Sequence, residues 1–221
     1  MATPIITIDG PAASGKGTLA KRLASTLGFY YLDSGAIYRL LALKILSEGL
    51  DPDNEDQCVK AARAFVPEFD PARMSIPDIR TERVSDATSR SSRFEGVRAA
   101  LLEIQRGVAH NPPAPFKGAV LEGRDTGTVV CPDADLKIFL TATAEARAQR
   151  RTKELLSRGE TVTYEAVLQN LKERDERDST RAVAPLKPAQ DAATVDTSGM
   201  DADAALGFVL DLVRKRLASA A

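Results

Sequence analysis

The chain has 221 residues, close to the roughly 100 to 200 of one domain, and its 43% hydrophobic and 28% charged residues are the mixture of a chain folding around a core. The 30 basic and 31 acidic side chains leave a formal net charge of −1, which argues against a uniformly cationic surface coating nucleic acid; 5% aromatics and no tryptophan argue against a base-stacking platform. No run approaches the ~18 consecutive apolar residues of a membrane span, and the first eight residues lack the basic opening of a secretory signal, so a cytoplasmic location is expected.

Ile5-Ile6-Thr7-Ile8 is a β-branched run closed by glycine, which predicts a buried strand. Leu19, Ala20, Leu23, Ala24 and Leu27 then recur at three- and four-residue spacing from Lys16 onward, and Gly28 supplies a helix stop. Residues 29–32 read as a second strand, and Ile37, Leu40, Leu41 and Ile45 as a helix ending near Gly49. Asn54, with Gln57 three residues on, predicts the N-cap of a short helix reaching about Phe65. Pro67, Pro71 and Pro77 make residues 66–80 a loop.

Two helices fill residues 81–109, broken near 94–96, and the prolines at 112, 113 and 115 bar helix from the connector that follows. Residues 119–122 and 136–140 read as strands, and Thr143 caps the next helix. Another helix begins after Thr163 and runs to about Asp178; residues 194–196 form a last strand and 204–217 a closing helix. Strands alternating with helices predict an α/β fold, a doubly wound parallel sheet covered on both faces. Cys58 and Cys131 match no metal or redox spacing and are expected to be packed. His110, the single histidine, leaves little material for a histidine-based triad or metal site.

Gly10-Pro11-Ala12-Ala13-Ser14-Gly15-Lys16-Gly17-Thr18 fits the phosphate-loop pattern G-x-x-x-x-G-K, between a predicted strand and a predicted helix. Such a loop aims backbone N–H groups and the positive helix end at phosphate oxygens, and Lys16 adds a cation for the β and γ phosphates. The alternative is a plain glycine turn with a solvated Lys16; the full spacing and both flanks favour phosphate. Gly17 follows Lys16 where the general pattern has Ser or Thr, so the hydroxyl comes from Thr18, leaving open how magnesium is held.

The form GKGT at 15–18 looks like nucleoside monophosphate kinases. Leu32-Asp33-Ser34-Gly35-Ala36-Ile37-Tyr38-Arg39 closely resembles bacterial cytidylate kinases, as do Gly123-Arg124-Asp125-Thr126-Gly127-Thr128-Val129-Val130 and the charged block at 173–186. These blocks stand in order over nearly the whole chain. The resemblance implies transfer of the γ-phosphoryl of ATP, with Mg2+, onto CMP and dCMP. It implies that Arg39 binds the acceptor phosphate, that Ser34, Ser89, Arg98 and Asp125 surround the cytosine or its nucleotide with Arg124 beside them, and that Asp178 and Arg181 sit at the sugar. It further implies one domain over 1–221, with an acceptor-binding insert at roughly 36–110 and a mobile arginine-bearing lid at roughly 147–182 over the donor.

Phosphoryl transfer needs positioning and charge compensation more than a covalent residue. Lys16, Arg151 and Arg181 are the candidate catalytic cations, and Arg147 a donor-side one; arginine's planar fork suits phosphate oxygens. Arg174 and Arg177 interleave with Glu173, Asp175, Glu176 and Asp178 and read equally as a solvated, paired helix face. Asp125 offers an acceptor for the exocyclic amine of cytosine and would repel the carbonyl of uracil, with Arg98 as donor to the ring; its alternative is a turn cap before Thr126. Glu122 either positions magnesium through water or simply ends its strand. A kinase for UMP or AMP keeps the fold, whereas a switch GTPase would need a guanine-reading N-K-x-D segment, which the sequence lacks. The expected partners are small nucleotides, with no nucleic acid or membrane, and the expected state is a monomer.

Overall fold

The computed structural model describes residues 3–218; residues 1, 2 and 219–221 lie outside it. β1 (Ile5–Asp9) is the central strand of a five-stranded sheet, with β2 (Tyr30–Asp33), β3 (Ala119–Gly123), β4 (Leu136–Thr141) and β5 (Ala193–Asp196) in the order β2-β3-β1-β4-β5. Every neighbouring pair is parallel. Alternation along β1 divides the core. Ile5 joins a cluster with α2 (Ser34–Ser47), α3 (Glu55–Phe65) and α5 (Glu95–His110), whereas Ile6 and Ile8 pack with α1 (Lys16–Leu27) and α8 (Ala202–Ala218). The two-residue period of a strand thus puts helices on both faces.

The caps expected at Asn54 and Thr143 are formed, and Thr163 adds a third. Asn54 Oδ1 accepts from Gln57 N–H at 3.1 Å, and Thr143 and Thr163 accept from Ala146 and Ala166 at 3.2 Å each, opening α3, α6 (Ala144–Ser157) and α7 (Tyr164–Thr180). Residues 66–80 are a correction. In place of a loop they form three short 3-10 helices, Val66–Glu68, Pro71–Ser75 and Pro77–Arg80, each with proline in its first turn. Proline's fixed φ suits that position, where its missing N–H has no partner to lose. α4 (Glu82–Ser91) follows. The chain runs from β1 out to β2, back to β3, then across to β4 and β5, so the order switches beside β1. Ligands of open α/β sheets bind at the carboxyl ends of strands at such a switch.

Candidate active site

The carboxyl end of β1 enters the loop at 10–15, and α1 begins at Lys16 with no acid in its first turn. Gly15 adopts φ +88° at the turn into the helix, a left-handed conformation that glycine enters freely. Lys16 is buried, with Nζ 3.4 Å from Pro11 O; burial first, and then the Arg124 charge, push its ammonium down to about 7. A cation held in this way is poised to gain from an anion beside it.

Gly17 explains the departure from the general loop pattern. A Cβ at Gly17 would stand 2.7 Å from Glu122 Oε2, so the carboxylate occupies the place of the missing side chain. Tyr31 Oη donates to the same oxygen at 3.0 Å, and burial, then Asp33, push the Glu122 carboxyl up. Gly17→Ser must therefore displace Glu122. Steady-state kinetics should show kcat reduced about 10²-fold, the usual cost of ~1 Å misplacement, with little change in melting temperature. An unchanged kcat would mean that the position of Glu122 is unused.

Cations converge on one cleft of about 490 Å3. Arg39 and Arg80 come from the helical segment after β2, Arg124 from the end of β3, and Arg151, Arg174 and Arg181 from α6, α7 and the loop after α7; all six line the cleft. Burial, then Arg174 and Arg80, push Arg39 down to about 9, and burial, then Arg124, push Arg174 down to about 10. Arg174 Nε and Arg181 Nη2 are buried without a hydrogen-bond partner. Mutually repelling guanidiniums with unspent donors are arranged to gain from an anion among them. Arg124 Nε donates to Asp178 Oδ2 at 3.0 Å; burial opposes the charge, but the Arg124 and Arg174 guanidiniums hold that carboxyl below its ordinary value. Arg151 pairs with Glu82 of α4 and, at 2.9 Å, with Glu154.

Arg147 requires a correction. It does not line the cleft: its guanidinium donates to Ala142 O at 3.0 Å, Ala12 O at 3.2 Å and Asp175 Oδ2 at 2.6 Å. It braces the phosphate loop from behind. Arg177, left open between two readings, pairs with Asp86 of α4 at 3.0 Å.

Beyond the arginines, Asp125 and Arg98 form an ion pair and are only 3% and 8% exposed. Arg98 also donates to Ser92 O at 3.0 Å and lies 5.2 Å from the Tyr38 ring centroid. The carboxylate of Asp125 makes no capping bond at the π-helical turn Thr126–Val130 that follows, which removes the turn-cap alternative. That turn is held instead by Asp9, which accepts from Thr126 N–H at 2.9 Å, Thr126 Oγ1 at 2.8 Å and Gly127 N–H at 2.8 Å. Ser89 Oγ, on the cleft wall, is buried and unpartnered.

Ser34, Ser89, Arg98, Asp125 and Asp178 therefore share one cavity with the six arginines and with Ala12, Ala13, Gly15, Lys16, Gly17, Thr18 and Glu122. Gly10, Pro11 and Ser14 of the loop do not line it. Sequence reasoning missed Arg80, which sits in the proline-rich stretch, and Gln105, a polar residue on the buried stripe of α5 with Val97 and Leu101. The latter carried a readable signal. The ligand atoms of His110, Cys131 and Asp133 lie within 4.8 Å of one another, but none of the three lines the cleft, and burial pushes the Cys131 thiol up to about 12.

The sequence matches the family described as cytidylate kinase over residues 6–215. It is 52% identical over 209 residues to the cytidylate kinase of Paramagnetospirillum magneticum, covering 95% of this chain and 97% of that one. The cytidylate kinase of Rhodospirillum rubrum is 50% identical over 209 residues, with coverage of 95% and 96%. A solved structure of an uncharacterized protein from Eubacterium ventriosum covers 97% of this chain and 99% of its own at a TM-score of 0.51 and 15% identity, a likeness of fold alone. With half the residues shared along nearly the full length of named relatives, the chain belongs to the cytidylate kinase family.

Proposed function

We propose that the protein transfers the γ-phosphoryl group of ATP to CMP, and to dCMP, releasing ADP and the corresponding diphosphate. The observation that carries this reading is a single cleft lined together by residues of the phosphate loop, the buried Arg98–Asp125 pair and six further arginines. The loop N–H groups and Lys16 hold the donor phosphates, and Arg39 and Arg124 the acceptor phosphate. Asp178 and Arg181 face the sugar, and Asp125, Arg98, Ser89 and Ser34 face the base. The attacking oxygen belongs to a phosphate already ionised at neutral pH, so no general base is required, and the developing charge falls to Lys16, Arg151, Arg174 and Arg181.

Magnesium fits the donor set at the loop. Thr18 and Glu122 both line the cleft, and a hydroxyl and a carboxylate are the oxygen ligands that this ion takes, directly or through water. The ion would supply neutralisation of the β and γ oxygens. Residues at roughly 36–110 act as the acceptor-binding insert, and those at roughly 147–182 as the lid that keeps water from the γ-phosphoryl. No helix among the described residues is long and apolar enough to cross a membrane. The reading takes the protein as a cytoplasmic monomer.

The experiment is ADP release in a coupled assay with CMP, dCMP, UMP, AMP and GMP. CMP and dCMP should exceed UMP in kcat/KM by at least about tenfold, the least that one charge-assisted hydrogen bond is worth. A clear preference for AMP or GMP would overturn the assignment of the acceptor.

A further inference from the structure

Gln105 lies behind the cleft wall, 1% exposed and absent from the lining, so it touches no substrate. Its hydrogen bonds nevertheless reach into the base pocket. Nε2 donates to Leu101 O at 3.1 Å. A backbone carbonyl has no proton to give, so the amide must present its NH2 to Leu101 and its oxygen to the opposite side. On that side stands Ser34, whose Oγ lies 2.6 Å from Gln105 Oε1. Two oxygens at that distance share one proton, and the amide oxygen has none. The Ser34 hydroxyl therefore donates to Gln105, and only its lone pairs are left for the cleft that Ser34 lines.

A serine hydroxyl free to rotate serves a donor or an acceptor equally well. One locked in this way is an acceptor alone. Asp125, paired to Arg98 on the same cleft, is likewise acceptor-only when ionised. We propose that Gln105 is a positioning residue that fixes the hydrogen-bond polarity of Ser34 and, through it, the preference for a pyrimidine bearing an exocyclic amine over one bearing a carbonyl. The proposal rests on the reading of the acceptor as a cytidine monophosphate with its base near Ser34. The amine of cytosine can satisfy these lone pairs, whereas the carbonyl of uracil meets them with lone pairs of its own. Discrimination of this kind comes from leaving a buried polar group unpaired with the wrong substrate.

The test compares kcat/KM for CMP and UMP in Gln105→Met, Gln105→Glu, Ser34→Ala and the Ser34→Ala/Gln105→Met pair, with melting curves for each. Gln105→Met keeps the volume but removes the acceptor, so the Ser34 proton is freed to meet a carbonyl; the CMP:UMP ratio should fall about tenfold, the value of one hydrogen bond. Gln105→Glu, neutral when buried, keeps an acceptor toward Ser34 and a donor toward Leu101 and should hold the ratio within about threefold. Because Gln105 acts through Ser34, adding Gln105→Met to Ser34→Ala should leave the ratio where Ser34→Ala alone put it. A purely structural glutamine would lower both substrates together without moving the ratio. An unchanged ratio in folded Gln105→Met, or the full tenfold loss persisting in the Ser34→Ala background, would overturn the proposal. Should Gln105→Met fail to fold, an unchanged ratio in Ser34→Ala overturns it equally. Parent enzyme that does not phosphorylate CMP would sink the functional reading instead, and that arm is measured first.

Discussion

Lys16→Ala is expected to lower kcat about 10²- to 10³-fold with every acceptor, the usual consequence of deleting a preorganised charge at the transferring group. The fold should survive, because this ammonium opposes burial and sits against the Arg124 charge in the absence of substrate. A pH dependence follows. The folded Lys16 titrates near 7, below its ordinary 10.5, so between those values the unfolded chain binds more protons than the folded one. Stability conferred by the parent lysine, relative to Lys16→Ala, should rise as pH goes from about 7 toward 10, with the penalty fully present below 7. Donor phosphates reverse this, drawing a proton onto the amine, so ATP binding above pH 7 should take up protons. Calorimetry in buffers of different ionisation enthalpy reads that uptake, and melting curves of both proteins read the stability difference. A folded Lys16→Ala protein with near-parental kcat would remove the phosphate loop from the account.

The second large effect is expected at Asp125. Asp125→Asn keeps the shape but converts an acceptor-only carboxylate into an amide able to present N–H to the base. A charge-assisted contact is worth roughly 1.5 to 3 kcal/mol, so the preference for CMP over UMP should shrink by about one to two powers of ten. The buried Arg98 partner adds a stability cost. Removing one member of such a pair outright costs about 3–5 kcal/mol, and the retained acceptor of asparagine should keep the loss below that. Melting temperature and substrate ratio are therefore read on the same preparation. A lowered melting point with an unmoved ratio would make Asp125 a structural partner of Arg98 and leave base choice to Ser34 and Ser89.

The central strand, the phosphate loop and α1 were legible because pattern and flanks agree within some 20 residues, and so were the caps of α3 and α6, which are local hydrogen bonds. Residues 66–80 were not, since the same prolines that break a long helix open a short one. The π-helical turn after Asp125 depends on Asp9, separated from Thr126 by 117 positions, and nothing local announces it. Arg147 and Arg151 are one helical turn apart and look alike in sequence, yet the first is spent on loop carbonyls while the second reaches the cleft. Gly17 reads as a missing hydroxyl until the structure puts Glu122 in its place. The family blocks hold Ser34, Arg39, Arg124, Asp125, Asp178 and Arg181, all of which line the cleft, whereas Arg80 lies outside them; the individual roles are what the variants above measure.

The most direct measurement follows the label from ATP carrying a marked γ-phosphate, incubated with the enzyme, Mg2+ and CMP. The account predicts label in CDP in step with ADP formed, with little inorganic phosphate whether or not CMP is present. Label appearing as inorganic phosphate at a rate indifferent to CMP would contradict it, for the cleft would then be that of a hydrolase.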